Sequence, residues 1–367
     1  MRTLVIGHCD GAHTMLGVIK RALPLAFPDT QFVWQQDPVQ TPDVLIYSVF
    51  GNHHRQYNCR KILICGEPAD VSRHRPNLLI DCKNVPRLRN AGSLFCYLPF
   101  YVTSFGERFQ NGPHDLIKGP NYNPAQIWAS KTKFCAFLYS QNVDFRNNLF
   151  DVISRYKPVD ALGKARGPAH RPVDRSVYEV GRRTYNDLAV QKYRPYKFVI
   201  CCENSRHAGY VTEKMLSAML ANCIPIYLGA PDVVEHFNGN SFINVGAYPN
   251  WEHAVARIRE LDTSPEKYQA MLAEPWFKNN VLNGYFASDV LVTPLRSLMT
   301  QPAQTQVVPV VRGPQRVAPR VGTVVARNLR SAAFHRIAPV RAVRPTAPKL
   351  GTQGHNLLRQ RLLKRRP

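Results

Sequence analysis

The sequence predicts an α/β protein of two Rossmann-like halves followed by a basic tail. Three observations lead there. The run Lys197–Pro231, KFVICCENSRHAGYVTEKMLSAMLANCIPIYLGAP, reads strand, polar loop, helix, strand. Short apolar runs alternate with helical or loop segments on both sides of it. At 367 residues and 44% hydrophobic content, the chain can bury two ordinary cores. No stretch approaches the ~18 apolar residues of a membrane span.

Taken in order, Thr3–Gly7 reads as a strand and Thr14–Leu25 as a helix. Strands follow at Phe32–Trp34, Val44–Ser48, Lys61–Ile64 and Leu78–Ile80, as in a doubly wound sheet. Tyr101–Ser130 is rich in Pro, Gly and Asn and mixes loop with short helix. A second set begins with a strand at Phe134–Tyr139, a helix marked by Phe145, Leu149, Phe150 and Ile153, and a strand at Val159–Leu162. Gly163–Arg175 is a basic loop, and Asp187–Lys192 a short helix leading into the long motif. Beyond the motif, Phe242–Val245 is a strand, with helices at Trp251–Leu261 and Pro265–Ala273. The domains expected are residues 1–130, 131–300 and a tail, 301–367.

The long motif carries its own local logic. Lys197–Cys202 is an apolar run suited to a buried parallel strand. The helix spans about Val211–Ala221, with Met215, Leu216, Met219 and Leu220 on one face and Asn222 as a left-handed stop. Ile224–Leu228 is the next strand, with Pro225 tolerated at its start. In open α/β sheets, ligands sit beyond strand carboxyl ends against helix N-termini. Glu203–Tyr210 and the pair Glu213-Lys214 occupy that place, where a nucleotide diphosphate is held.

CENSRHAGYVTEK followed by LANCIPIYLGAP resembles the signature of the α-1,3-fucosyltransferases, glycosyltransferase family ten. FRNNLFDVISRYKPVDALG resembles a second segment of that family. The resemblance covers roughly residues 40–285 and is strongest over 190–250. It implies the GT-B arrangement, two Rossmann-like domains facing across a cleft. It further implies an inverting enzyme that moves L-fucose from GDP-fucose to a glycan, to the 3-OH of an N-acetylglucosamine. Cys202 stands where the family often has Phe.

Glycosyl transfer needs a base for the acceptor hydroxyl, cations or a metal for the departing diphosphate, and polar groups that orient the donor. The chain has no Asp-x-Asp pair. The expectation is therefore no required metal and no tightly bound cofactor, with the leaving group neutralised by Lys and Arg. Lys214 is the first candidate, a point charge at a helix N-terminus. The resemblance makes Arg146 the second, able to grip phosphate bidentately. Glu213 would accept from ribose or sugar hydroxyls; Asn204 and Tyr210 match family positions lining the donor site. Glu203 and Ser205 could simply order the loop.

The base should come from the N-terminal half. Glu67 follows the strand Lys61–Ile64, after Gly66, which permits a sharp turn, and before Pro68. The family's proposed base is a Glu in a similar setting, with a Pro-Asn segment downstream, here Pro76-Asn77. The plain alternative is a helix-capping Glu. His53-His54 with Cys59 and Cys65 fits no zinc spacing, and a surface or acceptor-loop role is the better reading. The nucleobase pocket is expected at Tyr178–Asn186.

Nine scattered cysteines without a CxxC pair read as buried free thiols in a reducing compartment. The N-terminus lacks a signal-peptide layout, so the expectation is a cytoplasmic protein like the anchorless microbial enzymes. The net charge is +23, but residues 301–367 hold 14 Lys or Arg and no Asp or Glu, leaving +9 for residues 1–300. With eight prolines and one aromatic, this tail cannot bury a core of its own. Its last segment, HNLLRQRLLKRR, carries only a weak amphipathic helix pattern. The expectation is a disordered basic tail; as a partner for it, an acidic membrane surface is favoured over nucleic acid. Two rival functions stand beside fucosyl transfer: a transferase of the same fold with another sugar nucleotide or acceptor, and a non-catalytic polyanion-binding protein.

Overall fold

The structure is a computed structural model describing residues 2–84, 93–105, 114–166, 185–287 and 289–303. The chain divides into two units, residues 1–310 and 311–367, the second wholly outside the described residues. Also outside them lie residues 178–184 of the expected nucleobase stretch, 167–175 of the basic loop, and the tail from residue 304, including its closing helical segment.

The first sheet comprises β1 (Arg2–His8), β2 (Thr30–Gln36), β3 (Val44–Tyr47), β4 (Arg60–Cys65), β5 (Leu78–Asp81) and β6 (Leu94–Tyr97). All pairings are parallel, in the order β2-β1-β3-β4-β5-β6. Every residue of β3 and β5 is buried, because the sheet is covered on both faces. One face packs on helix α1 (Gly17–Ala26), α2 (Phe100–Phe105) and α10 (Val292–Thr300). The other is closed by loops: Tyr57, Cys59 and Val71 pack on Leu45, Leu63 and Leu79. The first sheet thus departs from a regular doubly wound pattern, since no α-helix joins β3 to β4 or β4 to β5. The strand β6 was not foreseen; its four residues give too short an apolar run to stand out.

The second sheet comprises β7 (Lys133–Phe137), β8 (Asp160–Ala161), β9 (Tyr196–Cys202), β10 (Ile224–Leu228) and β11 (Ile243–Asn244), ordered β11-β10-β9-β7-β8 and again parallel. Its helices include α3 (Pro124–Ala129), α4 (Asp144–Tyr156), α5 (Tyr185–Tyr193), α6 (Glu213–Leu220), α7 (Val233–His236), α8 (Trp251–Thr263) and α9 (Pro265–Ala273). Pro225 fits in β10 because pairing with β11 begins only at Ile226. Helix α6 starts two residues later than the sequence suggests, at Glu213, with Thr212 as its N-cap. Asn222, at φ 54°, is the left-handed stop expected.

The halves share one core. Met215, Leu216 and Met219 of α6 join Tyr101 and Val102 of α2 in a single buried cluster, and α2 packs on α6. The last helix, α10, packs on α1 and against β5 and β6, not on the second sheet. The chain just after it is also tied down. Arg60 Nε donates to Gln301 O at 2.8 Å, and Asn77 Nδ2 donates to Pro302 O at 3.1 Å. Asn77 Oδ1 accepts from Lys61 N at 2.9 Å, so Pro76-Asn77 serves the amino ends of β4 and β5, away from their carboxyl ends.

Gly66 needs its missing side chain for a different reason than a sharp turn. It is absent from the left-handed glycines, and a Cβ there would lie 2.3 Å from the Phe100 ring and 2.9 Å from Met15 Sδ. Gly66→Ala should therefore cost about 1–3 kcal/mol through overpacking. A denaturant midpoint equal to that of the parent chain would show that Phe100 yields freely.

Candidate active site

The second sheet contains a topological switch point. The chain leaves β7 towards β8 on one side, then crosses through α5 to β9 on the other. A cavity of about 280 Å³ lies beyond the carboxyl ends of those two strands. Its lining includes Tyr139 and Gln141 after β7, Arg146 on α4, Asn204 after β9, and Glu213, Lys214 and Ser217 on α6.

A buried carboxylate sets the cation on its floor. Glu203 is fully buried; Oε1 accepts from Thr212 N at 2.8 Å, and Oε2 accepts from Thr212 Oγ1 at 2.8 Å and Lys214 Nζ at 3.0 Å. Glu213 Oε1 is a second, longer partner of Lys214, at 3.5 Å. Burial pulls the ammonium's pKa down, but Glu203 and Glu213 outweigh it, so Lys214 titrates above an ordinary lysine. Gly229 makes the space: a Cβ there would meet Glu203 Cγ at 2.6 Å. Glu203 is thus a loop-ordering residue, one of the two roles its sequence position allowed.

Arg146, 3% exposed, lies with its guanidinium 4.0 Å above the Tyr139 ring. That ring is fixed because its hydroxyl donates to Ile200 O and accepts from Cys202 N, both at 2.7 Å. Arg146 Nη1 makes a long 3.5 Å contact with Gln141 O, and Nε has no partner. The guanidinium is therefore held by stacking, with donors to spare.

Glu67 reaches this site from the first sheet, two residues beyond β4. Burial lifts its carboxyl above the ordinary glutamate range. Lys214 and a hydrogen bond from Asn204 pull the other way, while Glu213 and Glu203 add to the rise. The thiols of Cys65 and Cys82 donate to Glu67 O at 3.2 and 3.7 Å. Glu67 thus lies within electrostatic reach of Asn204, Glu213 and Lys214 although it comes from the opposite half. Tyr210 is not part of the cavity lining. It is 2% exposed, and burial among Glu203, Glu67 and Glu213 drives its phenol pKa up.

The loop bearing Asn204 is pinned to the first half. Asn84 N donates to Ala208 O at 3.0 Å, Tyr97 Oη to Gly209 O at 2.8 Å, and Tyr101 N to Val211 O at 3.3 Å. Gly209 has φ +74°, and a Cβ would lie 2.7 Å from Asn84 N, so only glycine fits this crossing. His236 sits behind it, Nε2 at 3.3 Å from Tyr97 Oη and Nδ1 at 3.2 Å from Tyr101 Oη. Tyr97 spends its proton on Gly209 O, so the network assigns the proton to His236 Nε2 and leaves Nδ1 to accept from Tyr101.

His54 serves packing. Its Nδ1 lies 2.7 Å from Asp10 Oδ2 and its ring stacks on Tyr47 at 4.0 Å. Among the described residues no group of three or more His, Cys, Asp or Glu is arranged to hold a metal ion. All nine cysteines are free, eight of them buried.

Residues 128–282 match the C-terminal model of glycosyltransferase family 10 (fucosyltransferase). A protein of Acanthamoeba polyphaga mimivirus, named as a fucosyltransferase, is 35% identical over 254 residues, 69% of this chain and 39% of its own length. The α-(1,3)-fucosyltransferase FucT of Helicobacter pylori is 35% identical over 145 residues, 39% of this chain and 28% of its own. Residues 128–282 of the chain belong to glycosyltransferase family 10. The chain spans well under half the length of either relative. A crystal structure of an α1,3-fucosyltransferase with GDP-fucose superimposes with a TM-score of 0.59 at 22% identity, covering 83% of this chain and 93% of that one. The family 10 fold here is accordingly GT-B. The cavity lining lies wholly within the matched segment, whereas Glu67 lies outside it. Sequence reasoning passed over Tyr139, Gln141 and Ser217. For Ser217 a signal existed: it is the one polar residue in MLSAML, a helical turn after Glu213.

Two outcomes follow from this geometry. Lys214→Met should destabilise the fold by about 3–5 kcal/mol by leaving Glu203 buried and unpaired. Adding Glu203→Gln should recover part of that in the same denaturant titration; no recovery would mean that the pair is not coupled. Burial lowers the His236 pKa to about 4 from 6.5. The unfolded chain therefore binds the proton first, and stability present above pH 6.5 should drain away as pH falls towards 4. His236→Gln should flatten that part of a melting-temperature profile; an unchanged slope would assign the acid loss to other groups.

Proposed function

We propose that this chain transfers L-fucose from GDP-fucose to a glycan hydroxyl with inversion, the 3-OH of an N-acetylglucosamine being the favoured acceptor. One observation carries the reading: Glu67, just after a strand of the first sheet, is within electrostatic reach of Lys214, Glu213 and Asn204, which line the switch-point cavity on the second. Family membership supports the sugar, and the name of the Helicobacter pylori relative supports the linkage.

In this reading Glu67 takes the acceptor hydroxyl proton. Its raised pKa makes it a stronger base than an exposed carboxylate. The oxygen attacks the anomeric carbon from the side opposite the diphosphate. The bond from that carbon to the phosphate oxygen breaks, and GDP departs with the bonding pair. Lys214 and Arg146 meet the charge that develops on it. Glu203 keeps Lys214 in place before substrate arrives, so little reorganisation is needed at the moment of reaction. Asn204 and Glu213 orient sugar or ribose hydroxyls. Tyr210, buried beside Glu203 and Glu67, completes the proposed donor-binding set. With two side-chain cations on the diphosphate, turnover is expected to persist in EDTA. The domain assignment proposed is an acceptor half, residues 1–130, and a donor half from 131, with α10 returning to the first. The basic tail is proposed to meet acidic lipid.

The test is GDP release from GDP-fucose, against other sugar nucleotides, with and without N-acetyllactosamine and in EDTA. Acceptor-dependent release from GDP-fucose alone is expected. Glu67→Gln should lower kcat by at least about 100-fold while GDP still binds. The acid limb of kcat/KM should titrate above 4.5, the ordinary glutamate value here, because Glu67 must be ionised to act. Equal turnover of several donors would favour another sugar-nucleotide transferase; GDP binding without any turnover would favour a binding role.

A further inference from the structure

Ser217 has no explanation in the fold of the ligand-free chain. It lies on α6, one turn beyond Glu213 and three residues after Lys214, and is 2% exposed. Its neighbours Met215, Leu216, Ala218 and Met219 are all buried apolar residues that hold the helix to the core. A serine within a helix ordinarily satisfies its hydroxyl on a carbonyl of the preceding turn. Ser217 Oγ does not; it is buried with no hydrogen-bond partner. An alanine would pack there without that penalty and with better helix propensity.

Arg146 presents the same puzzle from α4. Its Nε is buried without a partner, and both residues line the same cavity. Two orphaned buried polar atoms in one cavity are what a site looks like when its ligand completes the hydrogen bonding. The donor inventory narrows the ligand. A guanidinium and an ammonium can only donate, and Lys214 and Arg146 both line this space. The start of α6 adds the positive end of its dipole. A group that satisfies these donors together must be anionic and rich in acceptor oxygens.

We propose that Ser217 is a binding residue of the donor site, its hydroxyl donating to an oxygen of the diphosphate that Arg146 Nε also engages. This rests on the donor reading above and adds to it a residue that neither the signature nor the charge pattern assigns. In this arrangement Lys214 meets the diphosphate as a point charge, Arg146 through a planar fork held over Tyr139, and Ser217 through a neutral hydroxyl from one turn deeper along α6.

Calorimetric titration of the full chain with GDP and with guanosine tests it. Ser217→Ala should bind GDP about tenfold more weakly, the usual scale for a hydrogen bond to an anion, and guanosine as the parent does. Ser217→Cys, of similar size but a weaker donor, should fall between the two. The unfolding midpoint without ligand should not drop, because the hydroxyl holds nothing there. Unchanged GDP affinity in Ser217→Ala would overturn the proposal. So would an equal loss for guanosine, which places the hydroxyl on the nucleoside, or a lowered midpoint without ligand, which makes it structural. Failure of the parent chain to bind GDP at all would instead overturn the donor reading, and this inference with it.

Discussion

The contact on which the site depends is the buried carboxylate of Glu203. Once β9 ends, the chain makes a polar loop, exposed at Asn204, Arg206 and His207, then re-enters the interior at Gly209 and begins a helix. Glu203 makes this possible by accepting from Thr212 N, Thr212 Oγ1 and Lys214 Nζ. Lys214 and Thr212 together offset its buried charge, and Glu203, with Thr212 and Glu213, holds Lys214 in place. The N-cap residue Thr212 therefore does not cap α6 with its own hydroxyl. That hydroxyl accepts from Lys214 Nζ at 2.8 Å and donates to Glu203. The local helix start thereby gives up its cap to the preorganisation of one ammonium.

A second constraint ties this arrangement to the opposite half. The loop between Glu203 and Thr212 is bonded to Asn84, Tyr97 and Tyr101, all from the first sheet's side. Gly209 permits the close crossing, and Asp232 accepts its N–H with both oxygens at 2.9 Å. The packing of α2 on α6 continues the contact into the core. The loop that bears Asn204 is consequently positioned by the half that bears Glu67. That is why a carboxylate and a helix terminus far apart in the sequence keep a fixed relation.

Chemistry and charge are distributed unevenly along the chain. The +23 formal charge resides mostly beyond residue 300, while the cavity depends on two cations, each balanced or stacked. Lys214 is neutralised by Glu203 and Glu213; Arg146 lies over Tyr139. The cations that matter at the site were therefore visible as members of motifs and not as part of the overall charge.

The sequence alone determined the α/β class, the strand–loop–helix–strand motif, the left-handed stop at Asn222, and Lys214 with Glu213 at a helix start. These depend on apolar periodicity, on turn chemistry and on spacing within some 35 residues, all of which are local. Tertiary structure decided what depends on distant residues meeting. Gly66 looked like a turn residue, but Phe100 is what excludes its side chain. Tyr210 could be named from a matched position, but its burial beside Glu203, Glu67 and Glu213 depends on the closed chain. The short strand β6 exists because β5 offers it an edge, and α10 returns to α1 because that face of the first sheet would otherwise be bare. Glu67 could be named from its place after a strand, but its raised pKa could not. That shift is the work of burial and of Glu213, which only the closed chain brings beside it.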